Sequence, residues 1–198
     1  MDVGRLFELR DAPARELAGQ ADAVAEACHA MAVRFHQGGK LIVSGAGGAS
    51  TDAQHVAVEF VHPVIVGKRA LPAISLTTDV ATVTGIAENE GVAAIFAHQM
   101  RLLAGPADIA LGISADGMSA SVLVGLETAK ELGLLTIALT GGDGGTIAAS
   151  PAVDHVLRAA SADPRVVKEL HVTIYHILWE LVHVFFEQPG LLGPEVVA

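Results

Sequence analysis

His55 and Glu59 stand four positions apart in Ser50-Thr-Asp-Ala-Gln-His-Val-Ala-Val-Glu59, a run whose composition reads as helix. At that spacing an imidazole and a carboxylate share one helix face, where they can bind one metal ion or pass a proton between them. A second group of such side chains lies far along the chain: Lys168, Glu169, His171, His176, Glu180 and His183. At about 100° of rotation per residue, Glu169, His176 and His183 form one helical stripe, with Glu180 a turn beyond His176 and Lys168 on its flank. A histidine on a mostly apolar helix is more often a hydrogen-bonded core or surface residue than a ligand, which is the reading for His171 and His183. His176 belongs to a site only if its helix packs beside His55 and Glu59.

Those side chains need a scaffold. Lys40 to Ser44 reads as a buried strand that turns at Gly45-Ala-Gly-Gly48 into a helix from about Ser50 to Phe60. Glycines there let a ligand approach the backbone, and the start of the helix aims unpaired N–H groups at it, a setting that suits an anion. Leu71 to Leu76 gives a second strand, Thr77-Thr78-Asp79 can cap the next helix, and a further helix follows Gly91. Asp108 to Ile113 is a third strand, apolar enough to be buried on both faces, and runs through Ser114-Ala-Asp-Gly-Met-Ser119 into a helix ending near Leu132. Leu135 to Thr140 and Gly141-Gly-Asp-Gly-Gly145 repeat the pattern, and a strand near Val153 to Leu157 precedes a helix from about Pro164 to Phe186.

This alternation specifies an α/β fold: a parallel sheet with helices on both faces, whose strand carboxyl ends line a ligand crevice. Upstream, Ala14 to Phe35 reads as one long amphipathic helix stopped at Gly38-Gly39. The connection over 60–70 reads as irregular, with Lys68 and Arg69 as solvated charges.

A chain of 198 residues without a composition shift suits one domain. Its expected parts are a helical extension over 1–38, a sheet core with its closing helix over 39–187, and a tail over 188–198. Hydrophobic residues make up 52%, yet every apolar run breaks before the roughly 18 residues of a membrane span. With 22 acidic against 12 basic residues, the formal charge of −10 opposes phosphate contacts with nucleic acid. A small molecule or protein is the expected partner. Cys28 is the only cysteine, so neither a disulfide framework nor a thiolate metal site is available. Asp2, Arg5, Glu8 and Arg10 crowd the first ten residues, which leads to the expectation of a cytoplasmic protein.

The order of elements resembles the sugar isomerase (SIS) domain family from the first helix to about Glu187. Five phrases carry the likeness: Gly45-Ala-Gly-Gly-Ala-Ser-Thr-Asp-Ala-Gln-His55, Leu71-Pro-Ala-Ile-Ser-Leu-Thr-Thr-Asp79, Gly112-Ile-Ser-Ala-Asp-Gly-Met-Ser119, Leu139-Thr-Gly-Gly-Asp-Gly-Gly145 and Lys168-Glu-Leu-His171. The resemblance implies a three-layer sandwich around a five-stranded parallel sheet, a homotetramer with active sites between subunits, and aldose–ketose isomerisation of a phosphorylated sugar. Carried over by position, Glu59 and His176 are the base and acid, and His55, Glu59 and His176 are ligands to Zn2+. Substrate contacts fall on Gly47, Gly48, Ser50, Thr51, Thr78, Asp79, Ser114, Asp116, Ser119 and Lys168.

Several positions depart from the family pattern. A Gln that completes the family's zinc site is Lys168 here, whose ammonium cannot ligate a metal while protonated; Glu169 beside it could offer an oxygen. The family's phosphate loop, Ser-Thr-Ser-Gly-Asn-Ser, is Ser114-Ala115-Asp116-Gly117-Met118-Ser119. Ala46 and Ala49 replace an Asn and a Ser in the glycine turn, and Glu88-Asn89 replaces an Asn-Asp pair. Two alternatives follow: a regulatory or phosphosugar-binding protein on the same fold, or an isomerase with an altered substrate.

Overall fold

The computed structural model describes residues 3–192. Five strands, β1 (Leu41–Gly45), β2 (Ala73–Ser75), β3 (Ile109–Ser114), β4 (Leu135–Gly141) and β5 (His155–Ala159), form one sheet in the order β2-β1-β3-β4-β5. All four pairings are parallel. Among the described residues, eight α-helices connect and flank them: α1 (Val3–Ala18), α2 (Ala21–His36), α3 (Ala49–Val61), α4 (Val80–Glu90), α5 (Ile95–Leu103), α6 (Ala120–Glu131), α7 (Gly145–Ala148) and α8 (Pro164–Phe186).

The three layers follow from the two-residue period of the strands. Leu41, Val43, Ile109, Leu111, Ile113, Ile137 and Leu139 pack on one face with residues of α2, α3 and α8. Ile42, Ala110 and Ala138 point the other way, into a cluster with Phe96, Met100, Val122 and Leu126 from α5 and α6. β3 and β4 are therefore buried on both faces, as their unbroken apolar runs predict. Strand order reverses between β1 and β3, so the crevice beyond their carboxyl ends is the topological switch point where α/β sheets bind ligands.

Two helix starts show the local chemistry. Asp79 caps α4, its Oδ1 accepting the Thr82 N–H at 3.1 Å and its Oδ2 the Thr82 hydroxyl at 2.6 Å. Asp163 caps α8 by accepting the Arg165 N–H at 2.9 Å, and Pro164 follows, where a missing N–H leaves nothing unpaired.

The single helix expected over Ala14 to Phe35 is instead the end of α1, a break at Gly19-Gln20, and α2. The physical reason lies in the sheet. Gln20 uses its side-chain amide as a strand would, donating from Nε2 to the Arg158 carbonyl at 2.8 Å and accepting the Arg158 N–H at 3.1 Å. The break places that amide against β5, the edge strand. Lys68 also departs from expectation: it is paired with Glu187, while Arg69 lies over the Phe186 ring at 5.5 Å. Of the tail expected over 188–198, residues 193–198 lie outside the described region. Among the described residues, no helix is long and apolar enough to cross a membrane.

Candidate active site at the seam of two helices

α3 and α8 cross the same sheet face and meet along a polar seam. Asp52, His55 and Glu59 recur every three or four residues on α3, so they stack on one face. α8 answers with Lys168, Tyr175 and His176. At one end of the seam, Lys168 Nζ donates to both Asp52 oxygens at 2.8 Å, to the Gly48 carbonyl at 3.0 Å and to Thr51 Oγ1 at 3.2 Å. At the other end, one ligand atom each from His55, Glu59 and His176 lie within 4.8 Å of one another. The His55 and His176 rings are 5.3 Å apart and nearly perpendicular. The condition for giving His176 a role, that its helix pack beside α3, is met within one chain.

Tyr175 fixes the orientation of His55. Its hydroxyl lies 2.8 Å from Nδ1, while Nε2 is 3.1 Å from Glu59 Oε1. A carboxylate only accepts, so Nε2–H donates to Glu59 and Nδ1 accepts from the buried phenol. The Glu59 side chain is 12% exposed and that of His55 42%, so the carboxylate is recessed behind an accessible imidazole. A cavity of about 280 Å³ opens beside Glu59 and His176, walled by Val64, Ile65, Trp179 and Glu180.

A second cavity, of about 420 Å³, lies at the switch point. Of the residues expected to contact substrate, Gly48, Ser114, Asp116, Ser119 and Lys168 line it, together with Asp52 and His171. Ser50 and Thr51 sit beside it in the first turn of α3, their hydroxyls donating to the Gly47 and Gly48 carbonyls at 2.7 and 2.9 Å. Gly47 supplies the turn itself with a φ of 59°. Thr78 and Asp79 lie apart from this cavity: Thr78 bonds the Ser75 carbonyl, lining a shallow recess with Gln54 and Val58, and Asp79 caps α4. Glu169, the other possible oxygen ligand, is held by Arg10 at 2.6 and 2.7 Å. His183 is a core residue, bonded to the Trp179 and Arg69 carbonyls. Burial pushes the Cys28 thiol up to about 12, so it is no nucleophile near neutral pH.

His171 is only 2% exposed, and its Nε2 has no hydrogen-bond partner among the described residues. Burial lowers its pKa, against the opposing pull of the Thr140 backbone and of Asp52. The unfolded chain therefore takes up this proton at a higher pH than the folded one does. Stability from this group is complete above about pH 6.5 and is lost as pH falls toward the lower folded pKa, with a slope of up to about 1.4 kcal/mol per pH unit. Urea midpoints measured from pH 7.5 to 5.5 should drop more steeply in the wild type than in His171→Gln; parallel slopes would refute the assignment.

Asp52 and Tyr175 escaped the reading of the sequence. The spacing of Asp52 to His55 and Glu59 was a usable signal, whereas Tyr175 carried none, because its partner is 120 residues away.

An open parallel sheet with glycine turns at its switch point and a His-Glu-His cluster beside it defines an α/β protein with a ligand crevice and a site for proton transfer or a metal ion. The chain belongs to the SIS domain family, whose model matches residues 8–141. It is 39% identical over 188 residues to the phosphoheptose isomerase of Solidesulfovibrio magneticus, covering 94% of this chain and 91% of that one. The phosphoheptose isomerase of Geobacter sulfurreducens is 42% identical over 175 residues, with 88% and 90% covered. Among solved structures, a phosphoheptose isomerase from Francisella tularensis superposes with a TM-score of 0.85 at 33% identity, over 91% of this chain and 96% of that one.

Proposed function

We propose that this isomerase interconverts an aldose and a ketose by moving a proton between adjacent carbons, with Glu59 as base and His176 as acid. The observation that carries the reading is the convergence of His55, Glu59 and His176 ligand atoms within 4.8 Å. Glu59 takes the proton from the carbon next to the carbonyl, and His176 gives one to the carbonyl oxygen. Glu59, its proton exchanged with solvent, then delivers one to the former carbonyl carbon while His176 takes the hydroxyl proton of the neighbouring carbon, so that the new carbonyl forms there and both side chains return to their starting states. His55, anchored by Tyr175, keeps the Glu59 carboxylate aimed.

The same three side chains are a donor set suited to a catalytic divalent metal such as Zn2+, two imidazoles and a carboxylate with a position left open. Bound there, the ion would polarise the sugar carbonyl, and His55 would offer Nε2 to it by moving its proton to Nδ1 and donating to the Tyr175 oxygen instead. Lys168 adds no ligand, because its ammonium is engaged by Asp52. Exposed apolar side chains on α1, including Val3, Phe7 and Leu9, support self-association, and the assembly we propose is a homotetramer.

The relatives are named phosphoheptose isomerases, and together with the family resemblance this makes sedoheptulose 7-phosphate, or a close relative, the reference substrate. One observation favours a second reading, the same reaction on a sugar with a different far end: Asp116 stands inside the loop that would hold a phosphate. The isomerase reading is tested in D2O with sedoheptulose, with and without its 7-phosphate. Proton exchange with solvent places deuterium on C1 or C2 of the product. Turnover without deuterium, or no turnover of either sugar, removes it.

A further inference from the structure

The loop after β3 turns one main-chain N–H and one hydroxyl onto a carboxylate of its own. Asp116 Oδ1 accepts the Met118 N–H at 2.9 Å and lies 3.3 Å from the Ser114 hydroxyl. The Ser119 N–H donates to Ser114 Oγ at 3.4 Å, and the Ser119 hydroxyl lies 3.3 Å from that of Ser121. Main-chain N–H and hydroxyl donors in such a turn make a ready anion site, and here the Asp116 carboxylate already engages part of it.

The cavity's cation offers no remedy. Lys168 is the only Lys or Arg among its lining residues, and both oxygens of the recessed Asp52, together with Gly48 and Thr51, engage its ammonium. Two carboxylates against one paired ammonium leave the cavity with an excess of negative charge. A phosphate dianion entering it would meet repulsion from Asp116 and would have to draw Lys168 away from Asp52.

What the cavity has in plenty is acceptors. Asp116 is exposed, and its second oxygen has no hydrogen-bond partner among the described residues. Carboxylates accept from neutral hydroxyls without a charge to balance.

We propose that this cavity receives an uncharged, hydroxyl-bearing end of the sugar, and that Asp116 is the specificity-determining residue that keeps a phosphate out. The substrate is then a free polyhydroxy aldose or ketose. This inference rests on the isomerase reading for the reaction but concerns only the end of the substrate remote from it.

The test compares sedoheptulose and sedoheptulose 7-phosphate with the full-length wild type, Asp116→Ser and Asp116→Asn. In the wild type, kcat/KM for the free sugar should exceed that for the phosphate by at least tenfold. Either variant should lower that ratio by a further factor of ten or more, through a gain on the phosphate. Calorimetric titration with the same ligands reads the preference of the cavity independently of turnover. If neither sugar reacts, the isomerase reading is lost while the binding ratio still decides the specificity of the cavity. A wild-type ratio below tenfold in binding, or one that neither folded variant lowers, overturns the proposal.

Discussion

Glu59→Gln is expected to lower kcat by a factor of about 10² to 10⁴, the usual worth of a positioned general base, and to leave KM nearly unchanged. The amide has the shape of the carboxylate and keeps an oxygen that can accept from His55 Nε2, now 3.1 Å away. It cannot take a proton from carbon. The fold should therefore survive, with a urea midpoint close to that of the wild type, while the deuterium incorporation described above disappears. A loss of less than tenfold in kcat would move the base elsewhere, and Glu180, across the same cavity, would become the next residue to test.

Gly117→Ala should act on stability instead. Gly117 has a φ of 70°, and a Cβ there would lie 1.9 Å from the Gly144 carbonyl oxygen and 2.9 Å from the Gly145 nitrogen. Both obstacles are backbone, so no rotamer change relieves them. Left-handed strain of about 1–2 kcal/mol and overpacking of about 1–3 kcal/mol give a total near 2–5 kcal/mol. Thermal unfolding should fall by several degrees. The Gly117 carbonyl also accepts the Ile147 N–H at 3.0 Å and the Thr146 hydroxyl at 3.2 Å, so displacing it disturbs the docking of one glycine turn on the other. An unchanged melting temperature would show that the two turns can separate without loss.

The fold was legible where a signal was local. α8 runs from Pro164 to Phe186 as read, because an Asp cap, a proline in the first turn and a long apolar pattern coincide. β1, β3 and β4 fall within a residue of their expected bounds, since strands buried on both faces are largely apolar runs between glycines and polar turns. The α1–α2 break was not legible. A lone glycine is tolerated inside a helix, and the group that selects the break is the Arg158 backbone, 138 residues downstream.

Within the site, the pairing of His55 with Glu59 was visible in their spacing, and the family likeness added His176. Lys168 could be read as a missing metal ligand, but not as the partner of Asp52, since helix periodicity gives the face of a residue and not what lies opposite it. Asp116 was visible as a charge out of place. That its oxygen would hold the loop's own N–H required the turn itself to be seen.

The way the sheet ends has a bearing on what the protein does not become. β2, at one margin, is only three residues long and offers little to copy. At the other margin, the Gln20 amide imitates a passing peptide group at Arg158. A foreign chain seeking to extend the ladder at that register must first evict a side chain tethered between two helices. Fibril-like growth through this border is thereby resisted by the same kink that divides the amino-terminal arm.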